Sequence, residues 1–488
     1  MRSAVDESAA RLARVPANVR HVHLIGVGGT AMAAVAGMLA ERGLRVTGSD
    51  NQLYEPTASL LKNSRVEVIG GFSPANLAPP PDLVVVGNVI TRANPEAQAL
   101  LESPIPYLSM PEALRHFFLR DRRVLMVAGT HGKTTSTAMM AHVLAAAGRD
   151  PSMLVGGIAK DFGSNYRLGA GADFVIEGDE YDTAFFDKGP KFLHYHPHGA
   201  IITAVEFDHA DIYRDLTHVK SSFRALAEQM EPGQVLAVCA DSPDALEVSA
   251  GTRAKRITFG LAAGDVRASG IRVGPDGARF AVVRGGDARA QGDFLLPIGG
   301  RMNVANALGV FVLLSEFGLS AAEIARGFES FRGVVRRQEV VGEAAGVTVV
   351  DDFAHHPTAI RVTLDAIAER FPGRRLLAAF EPRSNTARRN VFQDAFASAF
   401  DRAARVYLGP VYFKENDPIP PGERLDTGRL ASAIAARGPA AIACTSNAEI
   451  LARMLSDARA GDVAVFMSNG PFDNLKERLL AELRKRGS

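Results

Sequence analysis

Residues 124–135, Val-Leu-Met-Val-Ala-Gly-Thr-His-Gly-Lys-Thr-Thr, narrow the choice of fold more than any other stretch of the chain. The apolar, β-branched run to Ala128 predicts a buried strand, Gly129 and Gly132 flank a tight turn, and Lys133, Thr134 and Thr135 open a small-residue helix. A strand that feeds a helix through glycines belongs to an α/β sheet, with the helix N-terminus at the sheet's carboxyl edge. At such an end, backbone N–H groups and the helix dipole receive an anion, the lysine reaches outer phosphates, and a threonine hydroxyl can hold Mg²⁺. Gly129, Thr130, His131, Gly132, Lys133, Thr134 and Thr135 are therefore candidate nucleotide-phosphate residues. Val127 stands where the common G-x-x-x-x-G-K-[ST] pattern has its first glycine. The rival reading is a turn that needs glycine for geometry alone.

A chain of 488 residues is too long for one core and predicts about three domains. Its formal net charge of +1 gives no electrostatic case for nucleic acid or an anionic membrane as partner. Cys239 and Cys444 stand far apart in apolar surroundings, which argues against a disulfide framework and suits a reducing compartment. Residues 1–20 scatter charges without an apolar core, unlike a signal peptide, and no apolar run is long enough to span a bilayer. A cytoplasmic protein is the expectation. Composition says nothing of oligomeric state.

The first domain is expected over residues 1–120. The strand His21–Ile25 leads into Gly26-Val-Gly-Gly-Thr-Ala31, a helix to about Arg42, and a second strand, Arg45 to Ser49, ending at Asp50. The pattern fits the G-x-G-x-x-G/A dinucleotide fingerprint with an acid after the next strand. It places a diphosphate on the helix without saying which nucleotide carries it, so an NAD-type oxidoreductase stays open here. Further strands at Val66–Ile69, Leu83–Val86 and Ile105–Ser109 predict a βα-alternating parallel sheet.

The second domain, 121–332, contains the phosphate loop. The strand within 172–176 runs into Glu177, Asp179, Glu180 and Asp182, and the strand Ala200–Val205 runs into Glu206-Phe-Asp-His-Ala-Asp211. Acids at the carboxyl ends of parallel strands lie where such sheets bind ligands, and carboxylates suit Mg²⁺. The alternative is a solvated acidic loop. From Val235 to Pro297 short strands broken by Gly and Asp predict a peripheral sheet or hairpins. Gly299-Gly-Arg-Met-Asn-Val-Ala-Asn306 opens a helix on which Asn303 and Asn306 share a face, either to read a base edge or to cap the helix.

The third domain, 333–488, is again α/β, with strands at Val347–Val350, Leu376–Phe380, Val406–Leu408, Ala441–Ala443 and Val463–Met467. Two of these run into polar turns, Asp351-Asp-Phe-Ala-His-His-Pro357 and Glu381-Pro-Arg-Ser-Asn-Thr386, which make further ligand edges.

Together these residues resemble the Mur ligase family, in order and over nearly the whole chain. The matching motifs are Gly-Thr-His-Gly-Lys-Thr-Thr (129–135), Glu-Gly-Asp-Glu (177–180), Asp-His (208–209), Gly-x-x-Asn-x-x-Asn (300–306), Arg-Arg (336–337) and Asp-Asp-Phe-Ala-His-His-Pro (351–357). The resemblance implies a three-domain α/β protein: a Rossmann-like N-terminal domain, a central P-loop ATPase domain and a Rossmann-like C-terminal ligase domain. It implies an ATP- and Mg²⁺-dependent, amide-forming ligase of peptidoglycan metabolism. It also favours a UDP sugar over NAD in the first domain, on Gly26, Gly28, Gly29, Thr30, Ala31, Met32, Ser49 and Asp50. Met302 departs from the family, which has histidine there.

Gly87-Asn-Val-Ile-Thr-Arg-Ala-Asn-Pro95, Glu180-Tyr-Asp-Thr-Ala-Phe-Phe-Asp-Lys188, Lys191-Phe-Leu-His-Tyr195 and Glu381-Pro-Arg-Ser-Asn-Thr386 resemble the family's murein-recycling branch. That branch joins UDP-N-acetylmuramate to the tripeptide L-Ala-γ-D-Glu-meso-diaminopimelate through an acyl phosphate. The resemblance implies catalytic roles for Lys133, Glu177 and His209, and metal ligation by Thr134, Glu177 and His209. It places ATP on the phosphate loop with Asn303, Asn306, Arg337 and Asp352, and the incoming peptide near His355 and Arg383. Domain closure, with hinges near 118–123 and 331–335, is expected to exclude water. The rival activities are L-alanine addition to the same UDP sugar, NAD(P)-dependent oxidoreduction, and nucleotide binding without catalysis.

Overall fold

The computed structural model describes residues 2–285, 290–413, 417 and 419–487. The chain gathers into two compact units, one of Met1–Val205, Val219–Thr258 and Val312–Leu319, the other of Glu206–His218, Phe259–Phe311 and Ser320–Ser488.

In the first unit, β1 (His21–Ile25), β2 (Arg45–Asp50), β3 (Val66–Gly70), β4 (Leu83–Val86) and β5 (Tyr107–Ser109) form a sheet of order β3-β2-β1-β4-β5. All its pairings are parallel. The strands match expectation except that β5 starts two residues late, because Pro106 lacks an N–H and only its carbonyl pairs, with Val84 N–H at 3.0 Å. Leu24, Ile25 and Leu83 to Val86 are wholly buried, as continuous apolar runs in a covered parallel sheet must be.

The same unit holds β6 (Arg123–Ala128), β7 (Ser152–Ala159), β8 (Ser164–Arg167), β9 (Asp173–Gly178), β12 (Gly199–Ile202) and β13 (Val235–Cys239) in the order β13-β12-β6-β9-β7-β8. The β7–β8 pair is antiparallel, and the other pairings described here are parallel. A second hairpin, β10 (Asp182–Ala184) with β11 (Asp187–Pro190), carries Phe185 and Phe186 at its tip. The two phenylalanines pack against the buried cluster of Ile25, Val84, Val86 and Ile90 in the first sheet.

In the second unit, Phe259 and Gly260, the last two residues of β14 (Lys255–Gly260), pair with β15 (Val266–Gly274), which continues antiparallel through β16 (Gly277–Arg284) and β17 (Ala290–Leu296). These are the peripheral strands expected over 235–297. The last sheet has the order β18 (Glu339–Ala344), β19 (Val347–Asp352), β23 (Val463–Met467), β20 (Leu376–Phe380), β21 (Arg405–Leu408), β22 (Ala440–Ala443). Only β18 is antiparallel in it. Alternate residues sort to two cores. Ala378, Phe380, Val465 and Met467 meet Ile360, Leu364, Phe396 and Phe400, while Leu377, Ala379, Ala464 and Phe466 meet Ile450, Met454, Leu475 and Leu479. Both faces are covered, which is the doubly wound arrangement. Among the described residues no helix is long and apolar enough to cross a membrane.

Candidate functional site

The phosphate loop owes its shape to two glycines. Gly129 has φ of 134°, and a Cβ there would lie 2.1 Å from Thr203 Oγ1. Gly132, at φ 81°, sits at the N-cap of the helix Lys133–Ala146. Val127 lies inside β6 and pairs with Glu177 and Ile201 on the two neighbouring strands. Its side chain is therefore part of the sheet, and the loop is one glycine shorter than the common pattern.

Lys133 points back over this loop. Its Nζ donates to the Gly129 carbonyl at 2.7 Å and to Glu180 at 2.8 and 3.1 Å. Burial alone would lower its pKa, but the carboxylates of Glu180, Asp179 and Glu177 outweigh that and raise it, so the ammonium persists. Thr134 Oγ1 donates to Glu177 Oε1 at 3.0 Å, and Gly156 N–H donates to Glu177 Oε2 at 2.7 Å. A hydroxyl and a carboxylate side by side are hard oxygen donors, so this part of the expected set fits Mg²⁺. Next to them Lys191 pairs with Asp179 at 3.3 Å and lies 4.1 Å from the Tyr181 ring centroid.

The glycine turn after β1 is held by β2. Gly26 N–H and Val27 N–H donate to the Ser49 carbonyl, and Gly28 N–H donates to Asp50 Oδ2 at 2.8 Å. Gly29 is the N-cap of the helix Thr30–Glu41, with Ala31 and Met32 in its first turn. Asp50, expected to face a ligand, is turned onto the turn itself. Beneath it lies a network that the sequence did not disclose. Glu96, wholly buried, accepts from His23 Nε2 at 2.6 Å, Ser49 Oγ at 3.0 Å and Asn76 Nδ2 at 2.9 Å. From the β7–β8 hairpin, Asn165 Nδ2 lies 3.4 Å from the Thr30 carbonyl.

His209 belongs to the other compact unit, as do the remaining candidates. It has φ of 54°, and its N–H donates to Asp208 Oδ1 at 2.7 Å. Burial would raise the Asp208 pKa, but His209, His355 and His356 together hold it well below the usual carboxylate range. His355 Nε2 lies 4.0 Å from Asp208 Oδ2, and burial keeps its own pKa low. His356 caps the helix Pro357–Arg370 through Nδ1 and donates from Nε2 to the Phe207 carbonyl at 3.1 Å. The structure thus gathers Asp208, His209 and His355.

Asp352 is wholly engaged within the protein. It accepts Gln338 N–H at 2.7 Å and Ala354 N–H at 2.8 Å, and burial raises its pKa. Arg337 stacks on Phe353, 4.8 Å from the ring centroid. Asn303 and Asn306 are buried, with Asn306 Nδ2 donating to Asn303 Oδ1 and Asn303 Nδ2 donating to the Gly299 carbonyl. Met302 Sδ lies 4.0 Å from Gln338 Nε2. Arg383 lies over Tyr412 at 4.9 Å and beside Glu381 at 3.5 Å.

Three family models match the chain: "Mur ligase family, catalytic domain" over residues 21–122, "Mur ligase middle domain" over 127–314, and "Mur ligase, glutamate ligase domain" over 336–470. The chain is 36% identical to UDP-N-acetylmuramate–L-alanyl-γ-D-glutamyl-meso-2,6-diaminoheptandioate ligase of Escherichia coli strain K12, covering 95% of this chain and 98% of that protein. It is 32% identical to UDP-N-acetylmuramate–L-alanine ligase of Desulforapulum autotrophicum, covering 94% and 98%. A solved murein peptide ligase from Psychrobacter arcticus superposes with a TM-score of 0.71 at 32% identity, covering 95% of this chain and 99% of that one. The three-domain α/β architecture expected from the sequence is the one these relatives share.

Proposed function

This chain belongs to the Mur ligase family of ATP-dependent, amide-forming enzymes of peptidoglycan metabolism, and we propose that it joins UDP-N-acetylmuramate to L-Ala-γ-D-Glu-meso-diaminopimelate. The observation that carries the choice of acceptor is the hairpin Asp182–Pro190, in which Phe185 and Phe186 seat against the first sheet. Its Phe-Phe-Asp-Lys segment belongs to the run that resembles the murein-recycling branch. The 36% identity to the tripeptide ligase of Escherichia coli lies within the 32–38% range of the alanine-adding ligases, so the hairpin and not overall identity carries the choice.

In this reading ATP lays its phosphates on residues 129–135, with Lys133 as the counter-charge during in-line transfer to the lactyl carboxylate of the UDP sugar. Mg²⁺, held by Thr134, Glu177 and His209, would neutralise phosphate charge. The acyl phosphate formed is attacked by the free α-amine of L-alanine, and the tetrahedral intermediate collapses to the amide with loss of phosphate. Lys133 and His209 serve the oxyanions, Arg337 the transferred phosphate, Asn303 and Asn306 the adenine, Asp352 the ribose, and His355 and Arg383 the peptide. Gly26, Gly28, Gly29, Thr30, Ala31, Met32, Ser49 and Asp50 hold the UDP sugar, whose diphosphate would take the Gly28 N–H from Asp50.

The test is a competition. Purified protein is given labelled UDP-N-acetylmuramate, ATP and Mg²⁺, with L-alanine and the tripeptide together. Tripeptide product in large excess is expected. Predominant L-alanine product would transfer the chain to the alanine-adding reaction.

A further inference from the structure

The segment Glu206–His218 follows β12 in the chain, yet it clusters with the unit built on the last sheet. Two adjacent residues of the turn after β20 hold it there. Ala210 N–H donates to Thr386 Oγ1 at 3.1 Å, and Asn385 Nδ2 donates to Asp211 Oδ2 at 2.8 Å. Both bonds fall on residues immediately following His209. That residue sits in the left-handed region, which a non-glycine side chain keeps only where its surroundings over-determine it.

We infer that Asn385 and Thr386 are positioning residues for His209, fastening the turn that carries it to the loop that carries Arg383. The fastening is itself braced. Arg388 donates to Asn385 Oδ1 at 2.9 Å and to the Tyr412 carbonyl at 3.1 Å, and the Tyr412 ring lies under the Arg383 guanidinium. Thr386 is buried, and its hydroxyl accepts the amide of half-buried Ala210. A carboxylate of the acceptor drawn to Arg383 therefore pulls on a hydrogen-bonded chain whose other end sets the His209 backbone. The inference rests on the ligase reading above for the roles of Arg383 and His209, but the fastening is a property of the free protein and is tested there.

Thr386→Val removes the acceptor at nearly constant shape, Thr386→Ser keeps it, and Asn385→Ala cuts the second bond. Amide hydrogen exchange is followed without ligands over residues 207–213, with strand β19 as the internal standard for folding. Thr386→Val and Asn385→Ala are expected to speed exchange in 207–213 about tenfold with β19 unchanged, the worth of one lost hydrogen bond, and Thr386→Ser to restore it. In the ligase assay the same two variants should raise the acceptor KM and lower kcat while leaving the UDP-sugar KM alone. Unaltered exchange at 207–213, or a Thr386→Ser variant no better than Thr386→Val, overturns the inference. Wild-type protein that makes no amide overturns the ligase reading instead, and the exchange result still decides the fastening.

Discussion

Lys133 and Glu180 are joined through both carboxylate oxygens, at 2.8 and 3.1 Å, and the Gly129 carbonyl takes the remaining ammonium proton at 2.7 Å. An ammonium has three donors, so each is used within the protein. A phosphate that recruits Lys133 must break contacts that are already good, and Glu180 competes with the nucleotide for it.

Glu180→Gln should therefore tighten nucleotide binding to the free protein about tenfold, the scale of one charge-assisted hydrogen bond. Calorimetric titration with a non-hydrolysable ATP analogue measures it, and unchanged affinity would refute the competition. Lys133→Ala should abolish ligation while UDP-sugar binding persists; substantial turnover in that variant sinks the role given to Lys133. The raised Lys133 pKa fixes the pH behaviour. Stability from this pairing is complete below the ordinary lysine value and is lost only as pH climbs through the raised one, so the neutral range is flat.

Much of this arrangement was legible in the sequence, because strands, glycine turns and acids at strand ends are local signals. The β6 loop, β19 and the peripheral strands over 235–297 fall where their patterns put them, although β19 runs two residues further than expected, through Asp351 and Asp352, which pair with Phe466 and Met467. The β7–β8 and β10–β11 hairpins were not foreseen. The first is interrupted by Gly156 and Gly157, and the second is built from three- and four-residue strands rich in Asp, Lys and Gly. Pairings across the chain were invisible for another reason. Lys133 and Glu180 stand 47 residues apart, and Ala210 and Thr386 stand 176 apart. Periodicity carries no information on such contacts; only the folded chain brings them together. The inward turn of Asp352 and Asp50 escaped notice likewise, since a carboxylate reads the same whether it faces a ligand or a backbone amide.

Asp352 yields a prediction that separates those two uses. Its oxygens accept the amides of Gln338 and Ala354, so Asp352→Ala leaves two buried N–H groups unpaired, at about 1–3 kcal/mol each. A chemical-denaturation midpoint should fall accordingly. Asp352→Asn should keep one acceptor and about half of that stability, and a raised ATP KM in this folded variant would assign the ribose contact. Burial raises the pKa of Asp352. Between the ordinary carboxyl value and the raised one, the folded protein holds a proton that the unfolded chain has released. The residue's contribution to stability thus falls as pH rises through that window, and the asparagine variant should lack this component.

Arg11 supports the first sheet from outside it. Its guanidinium donates to Glu112 at 2.8 and 3.1 Å, and Glu112 is wholly buried while its other oxygen caps its own helix through Ser109. Arg11→Ala strands a buried carboxylate, which costs about 3–5 kcal/mol. The first unfolding transition should move to markedly lower denaturant. A double Arg11→Met, Glu112→Gln variant should recover much of the loss, and failure to recover would show that the pair is not what the single substitution removed.

Glu177 is the sharpest test of the metal reading. One of its oxygens receives the Thr134 hydroxyl and the other the Gly156 amide, so both are aimed by groups that only donate to it. Glutamine keeps the shape but turns one oxygen into an NH₂, which opposes the Gly156 N–H in one orientation and in the other makes the Thr134 hydroxyl accept instead of donate. It also removes the negative charge that a hard divalent cation requires. Glu177→Gln should therefore raise the Mg²⁺ concentration for half-maximal turnover at least tenfold, about 1.4 kcal/mol, with the UDP-sugar KM unmoved. A stability loss without that shift would mean that the carboxylate only braces β7 against the loop helix. An unchanged Mg²⁺ profile in a folded, active variant would remove Glu177 from the metal set.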